Sequence, residues 1–259
     1  MGESEFDAFY AAQFGERWPA LREALLAPAV SVGLSEGLEE PYYLDEASVI
    51  AARQLGVQPG DEVLDLCAAP GGKSLVLAAA MGPDGTLTAN DRSSARRARL
   101  RRVVDRHLPE ALCGRVRITS HDASKWGLYQ TEAYDRVLVD VPCSSERHVL
   151  ASPPHLSAWT RARTRNLSVQ AYAMLAAAGM AVRRGGYILY STCALSDLEN
   201  DRVVARLLSK KRGAFVLEPV AAICGEPTEL GWIILPDRCG GRGPLYFSKL
   251  RRLEAEAPQ

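Results

Sequence analysis

The chain has 259 residues, with 31 Lys+Arg against 31 Asp+Glu, and 47% of it is hydrophobic while 24% is charged. That balance excludes a disordered or coiled-coil protein and leaves room for one large domain around one core. The six cysteines, at 67, 113, 143, 193, 224 and 239, are too few for a disulfide scaffold and none has C-x-x-C spacing, so they read as reduced thiols of an intracellular compartment, with no zinc knuckle or other metal site expected.

No membrane span is expected. The longest apolar run, 171 to 182, falls short of the roughly 20 residues that cross a bilayer and ends at Arg183 and Arg184. The opening MGESEFDAFY carries Glu3, Glu5 and Asp7, unlike a secretory signal or a mitochondrial transit peptide. Phe6, Tyr10, Phe14, Trp18, Leu21 and Leu25 then recur at three- and four-residue steps, which predicts an amphipathic helix over 4 to 27 with a kink at Pro19. Residues 28 to 41, with Pro28, Gly33, Gly37 and Pro41, read as a linker, so the chain divides into a helical lead-in, 1 to 41, and a domain from 42 to 259.

A short helix is expected over 45 to 56, stopping at Gly56. Beyond it, strands predicted at 62 to 66, 86 to 90, 115 to 119, 136 to 141 and 186 to 192 alternate with helices at 73 to 81, 93 to 106, 161 to 183 and 197 to 212. This is the pattern of an α/β fold, a parallel sheet with helices on both faces. Two further strand-like runs, 231 to 236 and 243 to 253, joined by DRCGGRG, predict a C-terminal antiparallel strand pair at the sheet's edge.

CAAPGGKS (67 to 74) follows the first strand of that series and opens a helix, where a doubly wound fold places its ligand. A phosphate-cradling loop needs glycine where Cys67 stands, and no G-x-G-x-x-G is present. What remains is a loop whose Gly71 and Gly72 let the backbone approach an adenosine-type ligand, with Asp91 placed 20 positions after Gly71 to accept from ribose hydroxyls. S-adenosylmethionine fits, since it offers a ribose diol and no phosphate. The alternative is that both glycines only make a tight turn and Asp91 caps the next helix. Asp122 is a further acceptor for an adenine amino group, or a plain loop acid.

VLVDVPCSS (137 to 145) and LYSTCALS (189 to 196) each put a cysteine just past an apolar strand, on the side that carries the glycine loop. Each alone reads as a small buried apolar residue; together they predict two thiols facing one cleft. Two thiols suit methylation of pyrimidine carbon 5: one adds to carbon 6 and makes carbon 5 nucleophilic, and the other assists release after methyl transfer. Asp140, three residues before Cys143, can hydrogen-bond the N3–H or amino group of a cytosine and polarise the ring.

Through LDLCAAPGGKS, AND (89 to 91), DVPCS (140 to 144) and YSTCALSDLEN (190 to 200), the stretch from Tyr42 to Leu253 resembles the Sun-domain RNA cytosine-5 methyltransferases. The resemblance implies a Rossmann-like class I S-adenosylmethionine-dependent fold. It makes Cys193 the nucleophile and Cys143 the product-release thiol. It places Cys67, Gly71, Gly72, Lys73, Asp91, Arg96, Asp122 and Asp140 around the cofactor. FYAAQFGERWPALREALLAP, YYLDEAS, KWG and the SERH stretch most resemble the animal mitochondrial branch. That branch has a small-subunit ribosomal RNA member, which SERH favours, and a transfer RNA anticodon member. A mitochondrial location, an RNA substrate and a partner of the mitochondrial transcription termination factor family are then expected. Two departures stand out: the short stretch between Ala29 and Pro41, where the branch has a long segment, and Ala123 where it has glycine.

The net charge of zero hides a basic stretch: Arg92, Arg96, Arg97, Arg99, Arg101, Arg102 and Arg106 lie within 15 residues, and Arg161, Arg163 and Arg165 follow the Cys143 loop. These are either a solvated face or RNA contacts.

Overall fold

The computed structural model describes residues 2 to 220 and 224 to 254. Helix α1 (Gly2–Phe14) ends in a 3₁₀ turn and is followed by α2 (Trp18–Leu26). The lead-in is therefore two helices, not one kinked at Pro19. The break falls at Gly15, whose φ of +58° suits glycine, and Pro19 sits in the first turn of α2, where its missing N–H costs nothing. Strands β1 (Ser31–Leu34) and β2 (Tyr42–Asp45) form an antiparallel hairpin that pairs Ser31 with Asp45, so the stretch read as a linker holds β1 and the hairpin connection.

Then follow α3 (Glu46–Gln54), β3 (Glu62–Asp65), α4 (Gly72–Met81), β4 (Thr86–Asn90), α5 (Ser94–His107), the single turn α6 (Glu110–Cys113) and β5 (Val116–Thr119). The second half runs through β6 (Tyr134–Asp140), the short α7 (Glu146–Leu150) and α8 (Pro153–Ser157), α9 (Arg161–Ala181), β7 (Val182–Thr192) and α10 (Asp201–Lys210). It closes with β8 (Phe215–Glu218), β9 (Glu226–Pro227), β10 (Trp232–Ile234) and β11 (Leu245–Arg252). The main sheet has the order β5-β4-β3-β6-β7-β11-β10-β9, with β8 also on β11. The first five strands are parallel, and β11 returns antiparallel against β7 before pairing β10, as expected from the two C-terminal apolar runs.

Strand alternation sorts the core into two layers. Leu64, Val137, Val139, Ile188 and Tyr190 join the helical lead-in, α9 and α10 on one face. Val63, Leu138 and Leu189 meet α3, α4 and α5 on the other. Successive side chains of a strand point to opposite faces, so a strand buried on both sides must be apolar throughout. Each such side chain contributes about 2 kcal/mol by leaving water.

Two features of this frame position the site. Chain connections lead from β3 outward to β4 and β5, then return to β6 on its other side, so the carboxyl ends of β3 and β6 flank the topological switch point. The lead-in also packs as core: Phe6, Tyr10, Trp18 and Trp159 form an aromatic cluster with ring centroids 4.7 to 6.2 Å apart. That cluster brings Tyr10 beneath the loop after β6.

Candidate active site

The site is built from three loops at the carboxyl ends of β3, β6 and β7. After β3, Asp65 is buried and accepts from Ser74 Oγ at 2.7 Å, which ties the strand end to the first turn of α4; burial pushes its carboxyl up to about 7. Gly71 lies between, at φ +122°. A Cβ there would stand 2.9 Å from a Val103 methyl and 3.1 Å from Leu100 Cδ1, and at Gly72 it would stand 2.9 Å from the Tyr42 ring. Both glycines thus serve close packing of the loop on α5 and on the hairpin. The space a Cβ would take is filled by protein, which is the tight-turn alternative in a stronger form.

Lys73 turns into the protein. Its Nζ donates to Asp140 Oδ2 at 2.8 Å, while Ser191 Oγ donates to Asp140 Oδ1 at 2.8 Å. One carboxylate therefore joins α4, β6 and β7. Burial alone would lower the Lys73 ammonium, but Asp140 overrides it and holds the pKa above the ordinary lysine value.

Around the loop lie two small pockets that share Cys67. One, about 110 Å³, is lined by Tyr42, Asp65, Gly72, Lys73 and Asp140. The other, about 190 Å³, has Leu66, Ala123, Pro142 and Met174 as apolar walls and Asp91, Arg96 and Asp122 among its polar groups. Asp91 is 5% exposed; its Oδ1 accepts from Ser93 N at 2.9 Å and its Oδ2 lies 3.3 Å from Arg96 Nε. It makes a local turn before α5 and faces the pocket as well. Arg96 also donates to the Ala69 carbonyl, holding the glycine loop against α5. Asp122 accepts from both Ser124 N at 3.0 Å and Ser124 Oγ at 2.7 Å, bonds that hold its carboxyl below the usual range despite some opposing desolvation. Burial pushes the Cys67 thiol far up, which keeps it protonated as a wall of both pockets.

The two thiols expected to face one cleft meet directly. Cys143 Sγ lies 3.0 Å from Cys193 Sγ, and Ser145 Oγ lies 3.1 Å from Cys193 Sγ. Hydrogen bonds from Cys143 and then Ser145 lower the Cys193 thiol, against an opposing burial effect; the bond to Cys193, and then burial, push Cys143 well up. Of the two cysteines, Cys193 thus gives up its proton more readily and Cys143 keeps its own. Ser145 reaches Cys193 because its backbone is left-handed, φ +54°, a conformation that costs a serine energy and is found where geometry demands it.

Sequence reasoning missed Ser145, Ser191, Glu146 and Glu199. Ser145 and Ser191 adjoin the cysteine motifs, and nearness to a nucleophile is the signal that could have found them. Glu146 and Glu199 give no such signal, since their partners Ser144, Tyr10 and Leu195 come together only in space.

The family model described as 16S rRNA methyltransferase RsmB/F matches residues 52–250. Similar curated proteins include a 5-cytosine rRNA methyltransferase NSUN4 from Bos taurus, 38% identical over 237 residues, covering 85% of this chain and 61% of that protein. A mitochondrial tRNA (cytosine(34)-C(5))-methyltransferase from Danio rerio is 34% identical over 228 residues, covering 83% and 62%. Among solved structures, NSun6 from Pyrococcus horikoshii with SFG superposes with a TM-score of 0.71 at 26% identity, covering 85% of this chain and 55% of that one. The chain spans about 60% of the length of the curated relatives it matches. With the glycine loop on β3 and the paired thiols on β6 and β7 inside the matched region, the chain belongs to the RsmB/F family of 16S rRNA methyltransferases.

Proposed function

We propose that the chain methylates carbon 5 of cytosine in ribosomal RNA, with Cys193 as the attacking thiol, Cys143 assisting product release and Asp140 polarising the base. The observation that carries this reading is the contact of 3.0 Å between two thiols of opposite proton affinity at neighbouring strand ends. An active-site thiol must be ionised to add to carbon 6, and here its hydrogen-bond donors favour that form. Asp140 stands at the end of the strand that leads into the Cys143 loop, with Lys73 beside it to balance its charge.

The pockets fit S-adenosylmethionine by the chemistry of their lining. Acceptors Asp91 and Asp122 beside the apolar Leu66, Ala123, Pro142 and Met174 suit a ribose diol and an adenine, and disfavour a phosphate. Cys67, Gly71, Gly72, Lys73, Asp91, Arg96, Asp122 and Asp140 are the residues assigned to hold it, Gly71 and Gly72 by shaping the loop. When bound, it supplies an electrophilic methyl group. This chain's part is to align a cytosine between Cys193 and that pocket and, after methyl transfer, to let Cys143 assist loss of the carbon 5 proton as Cys193 leaves carbon 6.

Ribosomal RNA is preferred over transfer RNA because the vertebrate NSUN4 relatives are 38 to 40% identical against 32 to 34% for the vertebrate tRNA relatives. A mitochondrial location follows the word in those tRNA relatives' names. Arg99, Arg101 and Arg102 on α5 are exposed and make none of the ion pairs among the described residues, so they are available to RNA phosphates. A partner protein of the mitochondrial transcription termination factor family would add affinity that a chain of zero net charge lacks.

The test is bisulfite mapping of small-subunit ribosomal RNA from cells with and without this protein, alongside transfer of labelled methyl to that RNA by the purified chain. One or a few cytosines that lose protection without the protein, together with labelled RNA, support the reading. Unchanged maps and no labelled RNA overturn it.

A further inference from the structure

Beneath the two thiols lies a pair of buried carboxyls that the proposed chemistry leaves unused. Glu146 and Glu199 are 0% and 1% exposed, and one hydroxyl touches both: Ser144 Oγ bonds Glu146 Oε1 and lies 2.5 Å from Glu199 Oε1. A serine hydroxyl carries one proton. It can donate to only one of these oxygens, so the other contact requires a proton on a carboxyl.

The remaining partners decide which carboxyl holds it. Glu146 also takes the Tyr10 hydroxyl on Oε1 and the Leu195 N–H at 2.9 Å on Oε2, a set of donors that suits a carboxylate. Glu199 receives Ser144 N–H at 3.0 Å on Oε2, leaving its Oε1 to donate. Tyr190 gives its hydroxyl to the Glu199 backbone carbonyl instead, at 2.5 Å. Among the described residues no lysine or arginine pairs with either carboxyl. The titratable groups around Glu199 are Glu146 on α7, Tyr10 on α1, Tyr190 on β7, and Cys143 and Cys193 on their loops, with Lys73 and Asp140 completing the charged groups near the thiols. Burial, and then the Glu146 charge, push Glu199 up to about 8.

We infer that Glu199 is a neutral acid that positions both thiol loops, through a chain in which Glu199 donates to Ser144 and Ser144 donates to the Glu146 carboxylate, and that ionising Glu199 disfavours the Cys193 thiolate. Ser144 adjoins Cys143, and Leu195 lies two residues past Cys193, so the chain fastens one loop to the other. Two ionised carboxyls would leave a buried pair of like charges with one proton too few and would add a negative charge beside a thiolate. Glu199 is a positioning residue, and its role rests on reading Cys193 as the attacking thiol.

The test reads Cys193 alkylation by iodoacetamide in the full chain against pH, resolved by peptide mass spectrometry, for wild type, Glu199→Gln and Glu146→Gln. Glutamine at 199 keeps both contacts, its oxygen accepting from Ser144 N–H and its amide donating to Ser144 Oγ. Cys193 in Glu199→Gln is expected to react at the wild-type rate at about pH 6.5 and about threefold faster at about pH 9, where only the wild type gains the charge.

Thermal unfolding supplies a second reading. The folded state keeps a proton on Glu199 that the unfolded chain releases near the ordinary 4.5, so wild-type stability falls as pH rises from there to about 8, and Glu199→Gln flattens that slope. Glu146→Gln turns an amide toward its donors and lowers the unfolding temperature throughout. Equal alkylation of wild type and Glu199→Gln at both pH values, or Glu199→Gln unfolding as early as Glu146→Gln at about pH 6.5, overturns the inference. Alkylation needs neither RNA nor methyl donor, so its pH signature stands or falls separately from methyl transfer.

Discussion

The loops after β6 and β7 are close counterparts. Each leaves a parallel strand, places a cysteine just beyond it and presents it to the same cleft. Their thiols nonetheless end in opposite states. Cys193 is surrounded by donors, Cys143 and Ser145, and its pKa falls; Cys143 acts as the donor within the pair, and its pKa rises. Burial acts upward on both, so it cannot make the difference. The asymmetry lies first in the bond between the two thiols, in which Cys143 is the donor, and then in the left-handed Ser145, whose hydroxyl stands 3.1 Å from Cys193 against 3.6 Å from Cys143. Direction of hydrogen bonding, not burial, sets the two proton affinities apart.

Removing each thiol in turn is expected to have the largest effects. Cys193→Ala is expected to lower methyl transfer by at least about a thousandfold and to leave no covalent RNA adduct on a denaturing gel, because the added bond to carbon 6 has no substitute. Cys143→Ala is expected to form the adduct and hold it, so multiple turnover drops roughly a hundredfold while adduct formation persists. An adduct in the first variant and none in the second would reverse the assigned roles.

A smaller loss is expected from the group that joins the two strands. Asp140→Asn keeps the Ser191 contact but leaves the half-buried Lys73 ammonium without its ion-pair partner, which costs about 2 kcal/mol of folding stability, read by urea denaturation. Because Asp140 holds the Lys73 pKa up, the variant also releases that proton at lower pH, visible as faster Lys73 acylation at neutral pH. An unchanged denaturation midpoint would show that the pair contributes nothing.

The mildest change acts on the donor that distinguishes the two loops. Ser145→Gly removes one donor to Cys193 and relieves the left-handed strain, so folding is expected to hold while the alkaline-going rise of Cys193 alkylation moves to higher pH, toward the ordinary thiol range. A lost hydrogen bond to a charged thiolate is worth about 1.5 kcal/mol, or roughly tenfold in rate at neutral pH. The sign follows from the lowered pKa: donors favour the thiolate, so fewer donors demand a higher pH for the same thiolate fraction. An unshifted profile would leave Cys143 as the sole cause.

Much of the frame is legible in the chain itself. Apolar runs of β-rich residues alternating with helical stretches predict β3, β4, β5, β6, β7 and the C-terminal pair, and motif position puts Cys67, Cys143 and Cys193 at one end of the sheet. The hairpin β1-β2 was not legible, because its four-residue strands carry Gly33 and exposed Tyr43 and take their register from each other. The break at Gly15 was displaced to Pro19 for a related reason: proline is welcome in the first turn of a helix, so its presence marks a start as readily as a kink. Gly71 and Gly72 were legible as necessary, but not for what. The atoms that exclude a side chain there belong to Val103, Leu100, Tyr42 and Leu44, none of them within 25 residues of either glycine.

The alternation that makes a parallel sheet, the loops that end its strands and the residue types that gather at those ends are all written in the order of residues, because each follows from local periodicity and from strand direction. The tertiary structure alone decided which thiol is acidic, that one serine hydroxyl bridges Glu146 and Glu199, and that Asp140 answers both Lys73 and Ser191. Those outcomes depend on distances near 3 Å between groups far apart in the chain, where burial raises the consequence of every donor present or missing.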